Sequence, residues 1–582
     1  MLWTRSDGTG VAAKPTKNRT WFHFSIAKME EFGPTVETVV FQFSIMNLNS
    51  VKKLFDMGMR PVYRQSDDEK WRRIPQAPTV EASENGMRLN FQFVLSANSS
   101  STSNDRLDET EVGTKSKPAP MGKYFFAYTM PYTYTTLQSR LDALENHYGL
   151  STITKTDFKP VSLGSSTKSL NRKSRIPVSV KPSISRSTST LSASQGYSIV
   201  NKAGKHSSIY FRRELLTTSL DGHRLDLLTI SSTEGMIDNP AREAAHPDLF
   251  PDGPSSRSRV FHMAPPLNQN SKDNTTPATG KKFFVITARV HPAETVSSFV
   301  LDGFLDFILC EHDPRAAALR SRFVFKIIPM LNPDGCVRGH YRDDARGVNL
   351  NRVYGYPHPK FHPTIFATKT YIVDICAASG ELGFYIDLHG HANKPGCFLF
   401  ANRAAGMISR ADVWNFGKRM KDHCPWFDLR ECDFSADSSQ SSPGRTASAL
   451  QEMSLKDDQK KTLPEETALR TKEGTGRVAI YNATGCIHTY TFEANYHSAR
   501  HGLGWTGPVK NTAGFPNGAY CPPAVKCSSQ ECALGRAIQG FTRGFQPAVR
   551  GTGFTLGDLH SMGRSIALSA LDASMYKKES KG

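Results

Sequence analysis

Hydrophobic and polar positions alternate along the first quarter of the chain. Four segments show this period of two: "TWFHFSIA" (20–27), "TVVFQFSIMNL" (38–48), "MRLNFQFVLS" (87–96) and "YFFAYTMPYTY" (124–134). Such alternation is typical of antiparallel strands that bury one face. The pattern predicts an N-terminal antiparallel β-sandwich domain over residues 1–149, ending in a short helix at "TTLQSRLDALENHYG" (135–149).

The hydrophobic pattern changes after residue 207. A hairpin with an Asp221-Gly222 turn is followed by continuous apolar runs, namely "KKFFVITARV" (281–290), "RFVFKIIPML" (322–331) and "GFYIDL" (383–388). Continuous runs separated by helical patterns indicate strands covered on both faces. We therefore predict an α/β domain over residues 208–582, with a mixed central sheet flanked by helices and a final helix at "SMGRSIALSALDASMY".

Two polar segments interrupt these patterns. Residues 151–206 contain ten Lys and Arg against one acid, so this stretch carries about half of the chain's net charge of +18. We interpret residues 150–207 as a basic, Ser/Thr-rich disordered insertion. Its composition favours a solvated linker over a segment that tethers polyanions. Residues 435–473 are predicted to form a low-complexity surface loop. The charge therefore gives no reason to expect a nucleic-acid partner.

Cysteine usage and hydropathy suggest a compartment. None of the ten cysteines forms a Cys-x-x-Cys pair, the first residues lack an apolar signal core, and no apolar run is long enough to span a bilayer. These features predict a protein of the reducing cytoplasm without a membrane partner.

Candidate chemistry begins at "RVHPAETVSS" (289–298), where a predicted strand passes into a helix. Pro292 favours extended geometry at His291, so His291 should lie at the strand exit with Glu294 on the turn. Another apolar strand leads to His389 in "YIDLHGH" (385–391). Two histidines and one carboxylate form a common ligand set for catalytic zinc, although His-x-x-Glu alone is a weak signal that more often marks a surface hydrogen bond. The residues flanking His389, Asp387 and His391, are alternative partners for a ligand, or simply satisfied polar residues.

Further polar residues lie between and beyond these strands. "NPDG" (332–335) is predicted to be a turn, and Arg342, Asn351 and Arg352 follow in an irregular segment. Arginine binds carboxylates at two points, but each arginine taken singly is better explained by a surface salt bridge. Tyr481 is predicted in a loop or at an edge. Glu493 lies in an apolar strand, where it is either half of a structural ion pair or a general base beside a metal.

Seven motifs occur in an order that resembles the zinc metallocarboxypeptidases. They are HPAE (291–294), NPDG (332–335), Arg342, NLNR (349–352), DLHGH (387–391), IYNATG (480–485) and TFE (491–493). The longer segments around them, with the β-rich N-terminal domain, resemble the cytosolic carboxypeptidase subfamily. Position 293 is Ala where that family usually has Gly, which is tolerable if the residue adopts negative φ.

The resemblance implies roles for individual residues. One Zn²⁺ ion per chain would be bound by His291, Glu294 and His389. Arg342 would polarise the scissile carbonyl, and Glu493 would be the base that activates water and passes the proton to the leaving amine. The substrate's terminal carboxylate would be held by Asn351, Arg352 and Tyr481.

The resemblance also implies a class of substrate. The subfamily removes glutamates from proteins, chiefly from tubulin tails, including branch-point glutamates. The expected partners are polyglutamylated tubulin or other glutamate-rich tails, and the expected locations are the cytoplasm, microtubules and the nucleus. Lys394, Arg403 and Arg477 are candidates for binding substrate carboxylates, although exposed basic residues are ordinary surface.

Two other functions compete with this interpretation. An amidohydrolase of the aspartoacylase or succinylglutamate desuccinylase kind shares the His-x-x-Glu…His set, but the N-terminal β-domain and the NPDG-to-NLNR segment argue against it. A catalytically inactive tubulin-binding scaffold is the second alternative. The complete ligand set, with Arg342 and Glu493, argues against that one.

Overall fold

The structure is a computed structural model. The structure describes residues 1–11, 16–27, 38–49, 52–66, 70–84, 86–96, 123–156, 196–233, 249–252, 281–377, 382–403, 406–436, 472–499 and 553–575.

The N-terminal region forms two four-stranded sheets packed as a sandwich, as the alternating pattern predicts. One sheet has the order β1 (Leu2–Trp3), β3 (Thr38–Leu48), β7 (Gly86–Ser96), β6 (Thr79–Ser83), and the other β2 (His23–Ile26), β8 (Tyr124–Ala127), β4 (Val62–Gln65), β5 (Arg72–Arg73). All pairings are antiparallel except β1 with β3. Phe126 lies at the centre of the aromatic core, with ring centroids 4.9 Å from Phe43 and 5.0 Å from Phe93. A short helix, α1 (Lys52–Asp56), lies between β3 and β4.

Helix α2 (Tyr134–Tyr148) connects the sandwich to the rest of the molecule. The Thr133 hydroxyl caps its first turn by accepting the Thr136 N–H, and Gly149 ends it, as predicted. Arg140 of this helix forms ion pairs of 2.6 Å with both Asp302 and Asp306. The two ion pairs therefore link helix α2 to the second domain.

The predicted disordered insertion has regular structure at both of its ends. Strands β9 (Leu150–Thr156), β10 (Gly196–Asn201) and β11 (His206–Ser207) form a small antiparallel sheet. The short β-branched runs "STIT" and "YSIV" within the Ser/Thr-rich stretch allow this pairing. Residues 157–195 lie outside the described residues, as do residues 437–471 of the predicted surface loop.

An eight-stranded mixed sheet forms the centre of the second domain, which confirms the predicted fold class. Its four middle strands are mutually parallel, and antiparallel strands adjoin them on each side. The order is β12 (Ile209–Thr218), β13 (Arg224–Ser232), β15 (Phe323–Ile328), β14 (Lys282–Ala288), β16 (Leu382–His391), β19 (Thr489–Asn495), β17 (Cys397–Asn402), β18 (Asp433–Ala436).

Helices cover both faces of this sheet. They are α3 (Val296–Ile308), α4 (Pro314–Arg322), α5 (Pro333–Arg338), α6 (Pro363–Thr370), α7 (Met407–His423), α8 (Gly476–Thr484) and α9 (Leu556–Met575). A π-helical turn (Tyr371–Cys376) continues α6, and 3₁₀ turns occur at Leu350–Arg352, Leu429–Glu431 and Lys472–Gly474.

Helices α3 and α9 cross with their backbones in contact. A Cβ atom at Gly303 would lie 2.1 Å from the His560 carbonyl oxygen, and one at Gly563 would lie 1.9 Å from that of Val300. Helix α3 is therefore buried between the sheet and α9. The stripe of apolar residues at Val296, Phe299, Gly303, Phe304, Phe307 and Ile308 predicts an amphipathic helix packed on a sheet by one face. The structure instead buries nearly all of its side chains.

Candidate metal centre and substrate cleft

The turn after β14 presents the first two candidate ligands. Arg289 is buried with a positive φ of 58°, an uncommon backbone conformation for a residue other than glycine. Its guanidinium donates to the Pro292 carbonyl oxygen from Nε (3.1 Å) and Nη2 (2.6 Å). Ala293 does not have a positive φ, as expected. The Arg289 guanidinium therefore holds the HPAE turn at the Pro292 carbonyl, between His291 and Glu294.

His291, Glu294 and His389 come together at the carboxyl ends of β14 and β16. The Nδ1 atom of His291 lies 2.7 Å from Oε1 of Glu294, and that of His389 lies 3.0 Å from Oε2. One donor atom from each residue falls within 4.8 Å of the others, so a single cation can contact all three. Each imidazole is 2% exposed.

The other ring nitrogen of each histidine has its own acceptor. His291 Nε2 donates to Oδ1 of Asn349 at 3.2 Å, and His389 Nε2 donates to Oδ2 of Asp387 at 2.7 Å. These bonds orient the Nδ1 atom of each histidine towards Glu294. Of the two alternatives flanking His389, the structure selects Asp387, because His391 instead accepts backbone N–H bonds through its Nδ1.

Asn349 was not recognised as a partner from the sequence. Its side-chain oxygen also accepts the Asn351 N–H at 3.0 Å, so it links the 3₁₀ turn of the NLNR motif to His291. An asparagine at this position is equally explained as a cap for that turn, and nothing in the sequence distinguishes the two roles.

The electrostatics concentrate negative charge between the two imidazoles. Burial and the Arg342 guanidinium lower the pKa of His291 to about 4, which keeps its imidazole neutral. Burial opposes ionisation of Glu294, but the two histidines outweigh it and hold the pKa of the carboxyl well below its usual range. Burial likewise opposes protonation of His389, yet the carboxylates of Asp387 and Glu294 raise its pKa well above the ordinary value. Two imidazole nitrogens and one carboxylate fit zinc.

Glu493 lies beside this set with an unsatisfied oxygen. Its Oε2 is buried, and no donor among the described residues bonds to it. Burial raises the pKa of Glu493 to about 8, with the nearby Glu294 carboxylate adding to the effect. A buried polar oxygen without a partner is costly unless a bound group pairs with it, and Glu493 is the register partner of His389. The residues present therefore fit a bound metal ion.

Arg342 borders the ligand set. Its Nη1 lies 3.6 Å from Oε1 of Glu294, and its side chain is partly exposed. The predicted NPDG turn before it is instead the start of helix α5. Asn332 caps this helix by accepting the Gly335 N–H, which a turn motif read by itself does not reveal. A Cβ atom at Gly335 would lie 2.5 Å from Cγ of Pro292, so α5 packs tightly under the HPAE turn.

Asn351 and Arg352 follow on the 3₁₀ turn. The Asn351 side chain is buried and accepts the Gly476 N–H at 2.9 Å. Arg352 donates to the Asn351 carbonyl oxygen at 2.8 Å, and burial together with Arg342 lowers its pKa. Within the part of the chain that the structure describes, no carboxylate forms an ion pair with Arg352. A half-buried guanidinium of this kind is suited to an anionic ligand.

Tyr481 lies on helix α8, so its predicted loop or edge position is wrong. The segment "GRVAIYNAT" is helical because Val478, Ala479 and Ile480 bury one face and Gly485 ends the helix with a positive φ of 68°. The Tyr481 hydroxyl lies 3.5 Å from the Arg403 carbonyl oxygen, a long hydrogen bond at a partly exposed position.

The three other basic candidates differ in their surroundings. The Lys394 ammonium donates to the Glu431 carbonyl oxygen at 3.0 Å and lies 3.5 Å from its carboxylate. Arg403 is exposed at the end of β17. Arg477 is 6% exposed and donates to the Asn402 side chain, and burial lowers its pKa to about 10.

These features form a candidate metal centre on an α/β sheet. The chain belongs to the zinc carboxypeptidase family, which it matches over residues 197–501. The match supports the carboxypeptidase interpretation over the amidohydrolase alternative. Among solved structures, a protein assigned as a carboxypeptidase A from Shewanella denitrificans superposes with a TM-score of 0.51 at 15% identity, covering 98% of this chain and 92% of that one. That likeness concerns the fold alone.

Curated relatives include proteins named cytosolic carboxypeptidase-like protein 5. The zebrafish (Danio rerio) protein is 28% identical over 98% of this chain and 59% of its own length. The human and mouse proteins are 30% identical over 86% of this chain and 53% of theirs. The chain thus spans little more than half the length of these relatives. Among the helices that the structure describes, none combines the length and apolar character needed to cross a bilayer.

Proposed function

We propose that this protein is a zinc-dependent carboxypeptidase that removes glutamate from the ends of protein tails, with polyglutamylated tubulin as the leading substrate. The observation that carries the proposal is the meeting of His291, Glu294 and His389 beside the unsatisfied Oε2 of Glu493. Zinc bound there would supply Lewis-acid polarisation and a water of lowered pKa.

Glu493 is proposed as the general base and then the proton shuttle. Its raised pKa matches this task, because a base that ionises near neutral pH can both accept a proton and return it. Arg342 is proposed to polarise the scissile carbonyl and to stabilise negative charge on its oxygen. Its position beside Glu294, with a partly exposed guanidinium, supports this role.

Asn351, Arg352 and Tyr481 are proposed to hold the terminal carboxylate. Arg352 has no carboxylate partner among the described residues, and its backbone-held guanidinium is positioned for two-point binding. A guanidinium fixed near Arg342 would select peptides whose chain ends in the cleft. That selection is what separates an exopeptidase from an endopeptidase.

The glutamate preference is proposed from the family resemblance and from basic side chains around the cleft. Arg477 is the strongest of the three candidates for the substrate side chain, since its buried guanidinium donates to the amide of Asn402 and burial lowers its pKa despite the opposing effect of the Asp433 carboxylate. Arg403 is a further candidate, and Lys394 is the weakest because Glu431 already engages it. Branch-point glutamates, which present more than one carboxylate, belong to the same proposed class, and the cytoplasm, microtubules and nucleus are the proposed locations.

The test is incubation of the zinc-loaded protein with polyglutamylated tubulin, followed by mass spectrometry of the tails. Loss of glutamates, at chain ends or branch points, supports the proposal. Matched peptides ending in Glu, Gln or Lys measure the side-chain preference, and a C-terminally amidated Glu peptide tests the need for a free carboxylate. If tubulin and every peptide are unchanged while a zinc-loaded relative cleaves them, the protein is not this enzyme.

A further inference from the structure

Asp7, near the start of the β-sandwich, reaches into the second domain. Its carboxylate accepts three consecutive backbone N–H groups of the segment that carries Arg342: Oδ1 accepts from Tyr341 at 2.8 Å, and Oδ2 from Arg342 at 2.6 Å and Asp343 at 2.9 Å. Asp7 is 1% exposed, so these bonds form away from water. Charge-assisted bonds to successive N–H groups fix a backbone that has no helix or strand to hold it.

Asp7 is itself held on both sides. Its N–H donates to the Asn18 carbonyl oxygen at 2.8 Å, and the Asn18 amide donates to the Asp343 carboxylate at 2.6 Å. The next residue, Gly8, donates its N–H to Nε2 of His340 at 3.3 Å, while Nδ1 of the same ring donates to the Asp343 carbonyl oxygen at 3.1 Å. The Asp7 carboxylate therefore belongs to a network of hydrogen bonds between the two domains.

The segment held by Asp7 adjoins the metal ligands. The Tyr341 carbonyl oxygen accepts the N–H of Ala293, between His291 and Glu294, at 3.1 Å. The next residue, Arg342, extends its side chain to Glu294. A shift of the 341–343 backbone would therefore move the Arg342 guanidinium relative to the ligand set.

We propose that Asp7 is a positioning residue for catalysis: by binding the 341–343 N–H groups, it places the Arg342 guanidinium at the reacting carbonyl, so that the β-sandwich completes the active site. This inference rests on the proposed function, because it assigns Asp7 an effect on turnover through Arg342. A displacement of about 1 Å in a catalytic group can cost roughly 100-fold in rate.

The test compares Asp7→Asn and Asp7→Ala with Thr4→Val in the zinc-loaded full chain. Thr4→Val removes a bond from the same N-terminal segment to the Met46 carbonyl oxygen and leaves residues 341–343 untouched. Asn offers one acceptor oxygen and places N–H₂ against the remaining donors. We expect both Asp7 variants to lower kcat about 10- to 100-fold with KM changed less than about twofold, and Thr4→Val to leave both parameters near wild type.

Two further measurements separate positioning from simple loss of structure. Hydrogen–deuterium exchange should accelerate at the 341–343 amides in the Asp7 variants and stay unchanged there in Thr4→Val. In an Arg342→Ala background, Asp7→Asn should lower kcat by less than about twofold further, because the group that it positions is gone. A structural defect would instead lower kcat equally in both backgrounds, together with zinc content.

The results separate this inference from the proposed function. An active wild type with an equally active Asp7→Asn variant, unchanged exchange at 341–343, or additive effects with Arg342→Ala would each overturn the role of Asp7 and leave the peptidase intact. An inactive wild type would overturn the proposed function, and the exchange measurement would still report whether Asp7 holds the segment.

Discussion

Glu493 and His389 are direct neighbours in the sheet: they are register partners on the parallel strands β19 and β16. The proposed base is thus set beside a candidate metal ligand by the hydrogen-bond ladder of the sheet core rather than by a loop. Side chains on such strands are held by packing on both faces. Their separation is therefore a property of the fold, and it stays fixed when either side chain is changed.

Removing a metal ligand should remove the metal. For His389→Ala, we expect less than about a tenth of the wild-type zinc content after dialysis, measured by elemental analysis, because one of three donors is lost from a buried site. His391→Ala is the matched control, since it deletes an imidazole two residues away that bonds only to backbone N–H groups. Full zinc stoichiometry in His389→Ala would remove that residue from the ligand set.

Glu493→Gln should separate metal binding from turnover. The amide keeps the shape of the side chain but cannot accept a proton, so kcat should fall by about 10³-fold or more while zinc content stays at wild type. Steady-state kinetics and elemental analysis on the same preparation measure kcat and zinc content. Residual activity within about tenfold of wild type would assign the base to another group.

The stability of the zinc-free protein should depend on the protonation of Glu493. Its pKa of about 8 in the folded state lies above the unfolded value of about 4.3, so between these pH values the folded state binds more protons than the unfolded state. This group therefore lowers stability progressively as pH rises from about 4 to 8. After chelation, we expect Glu493→Gln to raise the melting temperature at pH 8 but not at pH 4. An equal shift at both pH values would contradict this origin.

Gly390 should be required for a correctly placed Glu294. Its N–H donates to Oε2 of Glu294 at 2.9 Å, and an added Cβ would lie 2.9 Å from Cγ2 of Val296 and 3.1 Å from Cβ of Glu294. Gly390→Ala should therefore weaken zinc binding by at least about tenfold in a chelator competition assay, as changes to groups supporting metal ligands commonly do. Gly355→Ala is the control, because a Cβ there meets nothing within 4 Å.

Arg352 should determine the requirement for a free carboxyl end. We expect Arg352→Ala to lower kcat/KM for a peptide with a free C-terminus by about 100-fold, a loss of roughly 3 kcal/mol in binding that a charge-assisted pair can supply. Cleavage of the amidated peptide should change little. Arg346→Ala is the control, since its exposed guanidinium stacks on Phe361. Equal losses for both peptides would argue against carboxylate recognition.

The sequence predicted those parts of the protein that depend on local patterns. Continuous apolar runs identified β14, β15 and β16, and the strand-to-helix turn at His291 followed from Pro292 and the helical stripe after it. Tyr481 was misplaced because helix α8 has only nine residues, and its short apolar run was attributed to a loop or an edge strand. Local periodicity in so short a segment does not distinguish these states.

Partners distant in sequence could not be predicted in the same way. Asp7 bonds residues more than 330 positions away, and Asn349 bonds His291 across 58. Such pairs form only when folding brings the two domains into contact and gathers distant segments at the ends of the sheet strands. Asp387 was one of two alternatives because Asp387, His389 and His391 are spaced two residues apart and so share one face of the strand, and the sequence does not state which neighbour meets His389.

The crossing of α3 and α9 has a consequence for biosynthesis. Helix α3 emerges from the ribosome more than two hundred residues before α9, so the side of α3 that α9 covers stays exposed until α9 docks through Gly303 and Gly563. Apolar surface that is exposed in this way during synthesis favours aggregation and chaperone binding. A polypeptide that ends before residue 556 would contain every proposed catalytic side chain but would leave this side of α3 without its partner.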